Sequence, residues 1–296
     1  MLEIRNLSKS YGRNKVLTDI NLDIEENKIY GLLGRNGAGK TTLLKSIASQ
    51  ILKDDGEIKL DGEEIFENSK AMEDICLVKD FPNSVKERKV KDILALGKII
   101  YKDWDEEYKN YLIREFNLNI RKKLLKLSTG NKTIVGLIIG LASRSRITIF
   151  DEPTIGLDAA MRYKFYNLLL EDYEKNPRTI IISTHLIDEV ANLFEEVIIL
   201  NNRRVMLKNE VNALKEKAYF LSGREDLINP IIKDKKVIHK EEFGSTKIVG
   251  IYGDLTEQEI NYARNKNIDI SNIPLQKLFI YLTENILEGE SLNEFI

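Results

Sequence analysis

Residues 29–42 read IYGLLGRNGAGKTT, an apolar run followed by a glycine-rich turn. Residues 34–41 match the pattern G-x-x-x-x-G-K-[ST] in full, with an apolar predicted strand before them and a predicted helix, residues 41–52, after them. Glycines let such a loop fold so that its N–H groups converge on phosphate oxygens, and the N-terminus of the helix adds positive potential. The sequence therefore predicts a phosphate-binding loop between a strand and a helix.

The residue types of this loop suggest individual roles. Lys40 is expected to reach the β- and γ-phosphates of a bound nucleotide, and the Thr41 hydroxyl is expected to bind Mg²⁺. Lys40 is also a candidate catalytic residue. The residues expected to contact the nucleotide are Gly34, Asn36, Gly37, Ala38, Gly39, Lys40, Thr41 and Thr42.

A pair of carboxylates follows a second apolar strand. Residues 147–150 are apolar and lead directly into Asp151 and Glu152, so both acids would lie at the carboxyl end of a strand, where α/β sheets bind ligands. Asp151 is expected to hold Mg²⁺, through water, because Mg²⁺ loses its hydration water reluctantly. Glu152 is the candidate general base that polarises an attacking water. Alone, such a pair is usually a solvated surface feature; downstream of a phosphate-binding loop it indicates catalysis.

The amino-acid composition argues against several classes of function. The chain of 296 residues carries 45 Lys and Arg against 47 Asp and Glu, a formal charge of −2, which argues against a general binder of nucleic acid or of anionic membranes. Its single cysteine, Cys76, excludes an internal disulfide and indicates a reducing compartment. The most apolar stretch, residues 133–142, is about half the ~20 residues that span a bilayer. No transmembrane helix is therefore expected.

The order of predicted elements suggests two domains. Strands and helices alternate after residue 147, which is typical of a doubly wound, mostly parallel sheet. The pattern after about residue 209 reads strand, helix, two strands, helix, strand and a last helix over residues 275–286, which suggests an α+β domain of ferredoxin-like type. The predicted domains are residues 1–208, with a helical part at about 85–144, and residues 209–296.

Three further motifs carry a family resemblance. They are the segments Leu127-Ser128-Thr129-Gly130-Asn131, Asp151-Glu152-Pro153-Thr154 with Gly156-Leu157-Asp158, and Ser183-Thr184-His185. With the phosphate-binding loop, their order and spacing resemble those of the nucleotide-binding subunits of ABC transporters over residues 1–208. The resemblance implies a P-loop NTPase core of α/β class, with an N-terminal antiparallel β subdomain, a helical signature subdomain and a C-terminal α+β appendage.

The resemblance also implies an ATP site shared by two chains. Ser128 and Gly130 lie in the segment similar to the family's signature loop, which binds the γ-phosphate of the ATP held by the opposite subunit. This segment departs from the family pattern, because Thr129 replaces a glycine and Asn131 replaces a glutamine. As a bare pentapeptide it would more often be a helix N-cap at Ser128.

Two single residues match family positions by type. His185 resembles the switch histidine that contacts the γ-phosphate, and it is therefore a candidate catalytic residue. Tyr11 resembles the aromatic residue that stacks on adenine, an interaction worth about 1–3 kcal/mol. Without the other motifs, His185 would more often be a packed core residue and Tyr11 a half-exposed tyrosine at a hairpin turn.

One position departs from the family in an informative way. Where the family places a glutamine that binds Mg²⁺, alignment on the apolar strand at residues 75–78 places Asp80. A carboxylate is an adequate Mg²⁺ ligand, but it adds negative charge beside the triphosphate. We hypothesise that Asp80 takes the place of the glutamine.

The function implied is that of an ATP-hydrolysing subunit that uses ATP and Mg²⁺ and energises a separate transmembrane permease. The chain would act as a homodimer, or as a heterodimer with another ATP-binding subunit, at the cytoplasmic face of the cell membrane. Residues 101–118, with Trp104, resemble export-type systems, which suggests an exporter of drug, peptide or lipid-like cargo. Two alternatives are an ABC-type ATPase acting on nucleic acid or the ribosome, and a nucleotide sensor without useful turnover.

Overall fold

A computed structural model describes residues 1–285 of the chain. These residues form two compact units. The first comprises Met1–His185 and Ile198–Val205, and the second comprises Leu186–Val197 and the described residues from Met206 onward. The segment Leu186–Val197 therefore groups with the second unit, although it precedes residue 208. The domain ranges 1–208 and 209–296 stay predictions, and residues 286–296 lie outside the described part of the chain.

The strands up to His185 belong to two sheets, and helices connect many of them. In chain order these strands and helices are β1 (Leu2–Tyr11), β2 (Asn14–Ile24), β3 (Ile29–Gly34), α1 (Lys40–Ile47), β4 (Asp55–Leu60), β5 (Glu63–Glu64), α2 (Ser69–Glu73), β6 (Ile75–Val78), α3 (Val90–Ile100), α4 (Glu106–Glu115), α5 (Thr129–Ala142), β7 (Ile147–Asp151), α6 (Ala159–Lys175) and β8 (Thr179–Ser183).

The later elements are shorter on average. They are α7 (Ile187–Val190), β9 (Glu196–Asn201), β10 (Arg204–Glu210), α8 (Val211–Lys215), β11 (Ala218–Gly223), α9 (Glu225–Ile232), β12 (Lys236–Phe243), β13 (Thr246–Tyr252), α10 (Glu257–Asn265), β14 (Asp269–Asn272) and α11 (Leu275–Asn285). The last helix was predicted over residues 275–286, and residue 286 lies outside the described residues.

The N-terminal strands form an antiparallel sheet with the order β2-β1-β4-β5. Strand β1 lies between β2 and β4, with Leu2 opposite both Ile24 and Leu60. Alternate residues of β1 point inward, and Leu2 and Ile4 are almost completely buried, as expected for a sheet with one face on a core. The predicted N-terminal antiparallel β subdomain is confirmed.

The second sheet positions the candidate site. Its order is β10-β9-β3-β8-β7-β6, with β9 and β10 contributing through their residues in 198–205. The pairs β3–β8, β8–β7 and β7–β6 are parallel. The carboxyl ends of these four strands therefore meet at one edge, which brings Gly34, Asp151, Ser183 and the residues after Val78 together. This sheet is the core of the predicted P-loop NTPase fold, and the fold class is confirmed.

Helices α3, α4 and α5 lie between β6 and β7 in the chain and form the predicted helical subdomain. Helix α5 packs closely on the sheet, because a Cβ added to Gly140 would lie 2.5 Å from the ring of Phe150. Trp104 packs in the same way on α3, where a Cβ on Gly97 would lie 2.4 Å from its ring. Trp104 thus has a packing role in this subdomain. Within residues 1–285, none of the helices combines the length and the apolar character needed to cross a membrane.

The second unit contains the predicted C-terminal α+β appendage. Its sheet has the order β12-β13-β11-β14 with antiparallel pairs throughout. Helices α9 and α10 connect strands that are not neighbours along the sheet. Their buried residues Ile228, Ile231 and Ala263 form one hydrophobic cluster with Leu221 and Val249 of the strands. This cluster gives the appendage a core of its own.

A buried ion network joins the helices of the first unit. The carboxylate of Asp172 on α6, 1% exposed, pairs with the guanidinium groups of Arg144 and Arg178, and the Arg178 distance is 2.9 Å. Arg144 also pairs with Asp105, the N-cap residue of α4, at 2.9 Å. Asp172 therefore balances two guanidinium groups that have little access to water.

We expect Asp172→Asn to destabilise the protein strongly. Removing one partner of a buried ion pair leaves uncompensated charge, which costs about 3–5 kcal/mol. The exposed pair between Asp23 and Arg5, at 2.6 Å, provides the control, because Asp23→Asn should cost less than about 1 kcal/mol. Urea unfolding of both variants measures the difference, and equal losses would show that the network contributes no more than a surface pair.

Candidate functional site

The phosphate-binding loop joins β3 to α1, and two of its glycines allow a close approach. A Cβ on Gly34 would lie 2.8 Å from the Leu200 carbonyl oxygen, and one on Gly39 would lie 2.8 Å from Leu17. Gly39 has φ of +103° at the N-cap of α1, a conformation that favours glycine. Between them Asn36 and Gly37 are exposed, and Ala38 is half-buried. The central residues of the loop are therefore accessible to solvent, while Gly34 and Gly39 are packed at its two ends.

Lys40 begins α1 and folds back over the loop. Its ammonium donates to the carbonyl oxygens of Gly34 at 2.6 Å and Arg35 at 3.5 Å. Burial lowers the pKa of Lys40, and the carboxylates of Glu152 and Asp151 oppose that lowering. The loop, the lysine and both predicted carboxylates are thus close enough to interact electrostatically. Thr41 and Thr42 follow on the first turn of α1, and Thr41 is exposed.

Ser183, at the end of β8, organises the two carboxylates at the end of β7. Its hydroxyl donates to Asp151 Oδ1 at 2.6 Å, and the Glu152 N–H donates to Ser183 Oγ at 3.0 Å and to its carbonyl at 3.1 Å. Glu152 has φ of +52°, a region that non-glycine residues rarely adopt and that is common at functional sites. The sequence placed Ser183 in a motif but did not predict this role.

His185 lies directly beside Glu152. Its Nδ1 is 2.7 Å from Glu152 Oε2, and its side chain is 60% exposed. A packed core histidine, the alternative for this residue, does not fit that exposure. The imidazole can hold the carboxylate in one orientation while its other nitrogen remains available to a ligand.

A cavity of about 520 Å³ contains several of the predicted metal-binding residues. Its polar lining includes Thr41, Lys45, Lys79, Asp80, Asp151 and Glu152. Within residues 1–285 no group of three His, Cys, Asp or Glu side chains could hold a metal ion by itself. Mg²⁺ in nucleotide sites is usually held by one or two carboxylates together with phosphates and waters. The donors of Thr41, Asp151 and Asp80 fit that ion and its nucleotide.

Four lysines line this cavity, Lys45, Lys79, Lys86 and Lys132, and none of them was predicted from the sequence as a site residue. Burial lowers the pKa of Lys79, and the neighbouring ammonium of Lys45 lowers it further. Lys79 directly precedes Asp80, so the carboxylate that departs from the family pattern has a cation beside it. The carboxylates of Asp151 and Asp80 oppose the lowering of the Lys79 pKa.

The signature segment begins helix α5. The hydroxyl of Ser128 accepts a hydrogen bond from the Asn131 N–H at 3.3 Å, which makes Ser128 an N-cap. Gly130 approaches the loop after Glu152, because an added Cβ would lie 2.4 Å from the Gly156 carbonyl oxygen. The Thr133 hydroxyl donates to the Ile155 carbonyl oxygen at 2.7 Å. These contacts between α5 and the carboxylate loop were not apparent from the sequence.

Tyr11 stands apart from the carboxylates. It ends β1 with half of its surface exposed, and the Lys9 ammonium lies 5.6 Å from its ring centroid. It does not line the cavity that contains Thr41 and Asp151. An exposed ring at the end of a strand can stack on a base, so its adenine role stays a prediction.

Comparison with known proteins identifies the family. The profile described as ABC transporter matches residues 17–155. The ABC transporter ATP-binding protein YtrB of Bacillus subtilis is 33% identical over 245 residues, which cover 82% of this chain and 84% of YtrB. The chain belongs to the ABC transporter family. It is one of the ATP-binding proteins of that family, the ABC ATPases.

Two other proteins extend this ABC-family comparison. The methionine import ATP-binding protein MetN of Clostridium tetani is 27% identical over 288 residues, which cover 92% of this chain and 86% of MetN. A solved ATP-binding cassette, described as a dimeric post-hydrolysis state bound to ADP and Pi, is similar with a TM-score of 0.60 at 22% identity. It matches 71% of this chain and 99% of that structure. The latter similarity shows a shared fold.

We expect Gly156→Ala to cost more stability than Gly62→Ala. Both glycines have positive φ, +76° and +84°, and an alanine there costs about 1–2 kcal/mol. A Cβ at Gly62 meets nothing within 4 Å, whereas one at Gly156 would lie 2.9 Å from the Gly130 nitrogen and from Thr129. Overpacking of this kind adds about 1–3 kcal/mol. Equal shifts in urea unfolding would mean that α5 and the loop are not in firm contact.

Proposed function

We propose that this chain is the ATP-hydrolysing subunit of an ABC transporter in which Glu152 is the general base. The observation that carries the proposal is the Glu152–His185 pair at 2.7 Å, at the strand end that also presents Asp151 and faces the cavity with Thr41. A candidate base must lie within reach of the proton that it abstracts, and its orientation must be fixed. His185 and Ser183 fix that of Glu152.

The residues of the loop bind the triphosphate in this proposal. The loop N–H groups and Lys40 hold its phosphates, while Thr41, Asp151 and Asp80 would hold Mg²⁺. When bound, that ion would supply positive charge to the phosphate oxygens. Glu152 accepts a proton from the attacking water, and His185 keeps the carboxylate turned toward it. Tyr11 is proposed to stack on the adenine.

Two chains are proposed to share each ATP. Ser128 and Gly130 lie at the N-terminus of α5, where unpaired N–H groups and the helix dipole favour an anion. The loop residues and the signature residues belong to different chains in this arrangement. One chain carries every element, so a homodimer would have two complete sites, and a heterodimer with a related subunit would also be complete. The dimeric solved cassette supports such an assembly.

We expect Glu152→Gln to bind ATP but to lose turnover. Removing a general base lowers the rate by about 10²–10⁴-fold, while the amide keeps the size and most contacts of the side chain. The variant should therefore accumulate as an ATP-bound dimer. Phosphate release and size-exclusion chromatography in ATP and Mg²⁺ measure both effects.

The wild-type protein with ADP is the control for dimerisation and should remain monomeric. A Glu152→Gln protein that stays monomeric in saturating ATP and Mg²⁺ would contradict the shared site. Co-purification of the wild type with RNA or ribosomes would favour the alternative of an ABC-type ATPase that acts on those partners. ATP binding without turnover by the wild type would favour a nucleotide sensor.

We expect Asp80→Ala to weaken Mg²⁺ binding. Loss of one oxygen ligand should raise the Mg²⁺ concentration for half-maximal ATPase activity by about tenfold, in the range seen when groups around a metal are removed. Asp80→Asn retains an oxygen and should have a smaller effect. Unchanged Mg²⁺ dependence and turnover in Asp80→Ala would show that Asp80 does not replace the family glutamine.

A separate permease is proposed to take up the free energy of hydrolysis and to hold this chain at the inner face of the cell membrane. We propose export of a drug, peptide or lipid-like cargo, on the resemblance of residues 101–118 to export-type systems. Purification of the complex from the native host, followed by transport into inverted vesicles, tests both points. Uptake in the opposite direction would make the chain an import subunit, as the name of MetN states for that protein.

A further inference from the structure

The loop that carries Glu152 is strained at its first residue. Glu152 has φ of +52°, and such a conformation persists only where surrounding contacts impose it. Ser183 provides one set of contacts through the Glu152 N–H. Within the loop, the Ile155 N–H donates to the Glu152 carbonyl oxygen at 3.4 Å and the Leu157 N–H to that of Thr154 at 3.1 Å. Arg162 of α6 also donates to the Leu157 carbonyl oxygen, at 2.9 Å. The orientation of Glu152 therefore also depends on what holds the far end of the loop.

Helix α5 holds that far end. The Thr133 hydroxyl, on the first turns of α5, donates to the Ile155 carbonyl oxygen at 2.7 Å, a normal length for a strong hydroxyl hydrogen bond. One residue further along, Gly130 and Gly156 are in backbone contact, with room for no side chain at either position. The hydrogen bond sets the direction of the Ile155 peptide, and the glycine contact sets its distance from α5.

We propose that Thr133 is a positioning residue for ATP hydrolysis. Its hydroxyl holds the Ile155 peptide, which keeps the loop from Glu152 to Gly156 in the conformation that aims the Glu152 carboxylate. The inference rests on the proposed function of Glu152 as general base. Thr133 also lines the cavity that contains Thr41 and Asp151, but in this role it acts through the loop.

The same tether joins two different ATP sites. Glu152 serves the ATP bound by its own chain, whereas Ser128 and Gly130, on the helix that carries Thr133, face the ATP of the partner chain. The Thr133 hydroxyl holds α5 to the carboxylate loop. It therefore links the position of Ser128 and Gly130 to the position of Glu152.

The test compares Thr133→Val with Thr133→Ser. Valine keeps the size and branching of the side chain but removes the donor, whereas serine keeps the donor and loses a methyl group. We expect Thr133→Val to lower kcat about tenfold with KM for ATP within about twofold, because an interaction that matters in the transition state lowers kcat and kcat/KM together. Thr133→Ser should restore kcat to within about threefold of the wild type.

Thr283→Val is the matched control. Thr283 lies on α11 in the second unit, and its hydroxyl likewise donates to a backbone carbonyl, that of Phe279, at 2.8 Å. This variant should leave kcat unchanged. The fluorescence of a labelled nucleotide measures ATP binding by Thr133→Val, and retained binding shows that this variant is folded. Thr133→Ala provides a second variant that lacks the hydroxyl donor.

The outcomes separate the inference from the function on which it rests. Equal kcat values in the wild type, Thr133→Val and Thr133→Ala would overturn the positioning role while the ATPase function stands. A raised KM with unchanged kcat, or failure of Thr133→Ser to recover activity lost in Thr133→Val, would also overturn it. A wild-type protein without ATP turnover would refute the proposed function, and the role of Thr133 with it.

Discussion

Parallel pairing of four strands is the constraint on which the site depends. Strands β3, β8, β7 and β6 run in the same direction, so each delivers its last residues to one edge of the sheet. A parallel sheet needs long crossovers and is buried on both faces, which explains the apolar runs that precede the phosphate-binding loop, the carboxylate pair and His185. The loop after Gly34, the carboxylates after Phe150 and His185 are neighbours only because of that pairing.

Charge at this edge is balanced through side chains from different strands. Lys40 is buried beside Asp151 and Glu152, and burial of an unpaired charge would be costly. Ser183 supplies a neutral hydrogen-bonding link, since it donates to one carboxylate and accepts from the backbone of the other. The site therefore combines a high density of charge with fixed geometry, the condition under which electrostatic stabilisation of a transition state is effective.

Sequence reasoning predicts the place of a residue in the fold where that place depends on a short contiguous pattern. The loop around Lys40 and the pair Asp151–Glu152 follow an apolar strand, so periodicity alone places them at a strand end. It could not find the Thr133–Ile155 hydrogen bond, because a threonine at that position matches no local pattern and its partner is a backbone atom. The sequence also did not predict that Leu186–Val197 groups with the second unit. The residue types along that segment do not reveal which core it joins.

The order of the six-stranded sheet has a consequence for synthesis on the ribosome. Strand β3 has β8 and β9 as its neighbours, and both are translated long after residue 34. At about 5–20 residues per second, the apolar strand β3 waits on the order of ten to thirty seconds for its partners. Long-range pairing of this kind folds slowly and exposes strand edges to aggregation. Strand β3 therefore has neither of its sheet neighbours available until β8 has been translated, and it lacks the second one until residue 201 has been translated.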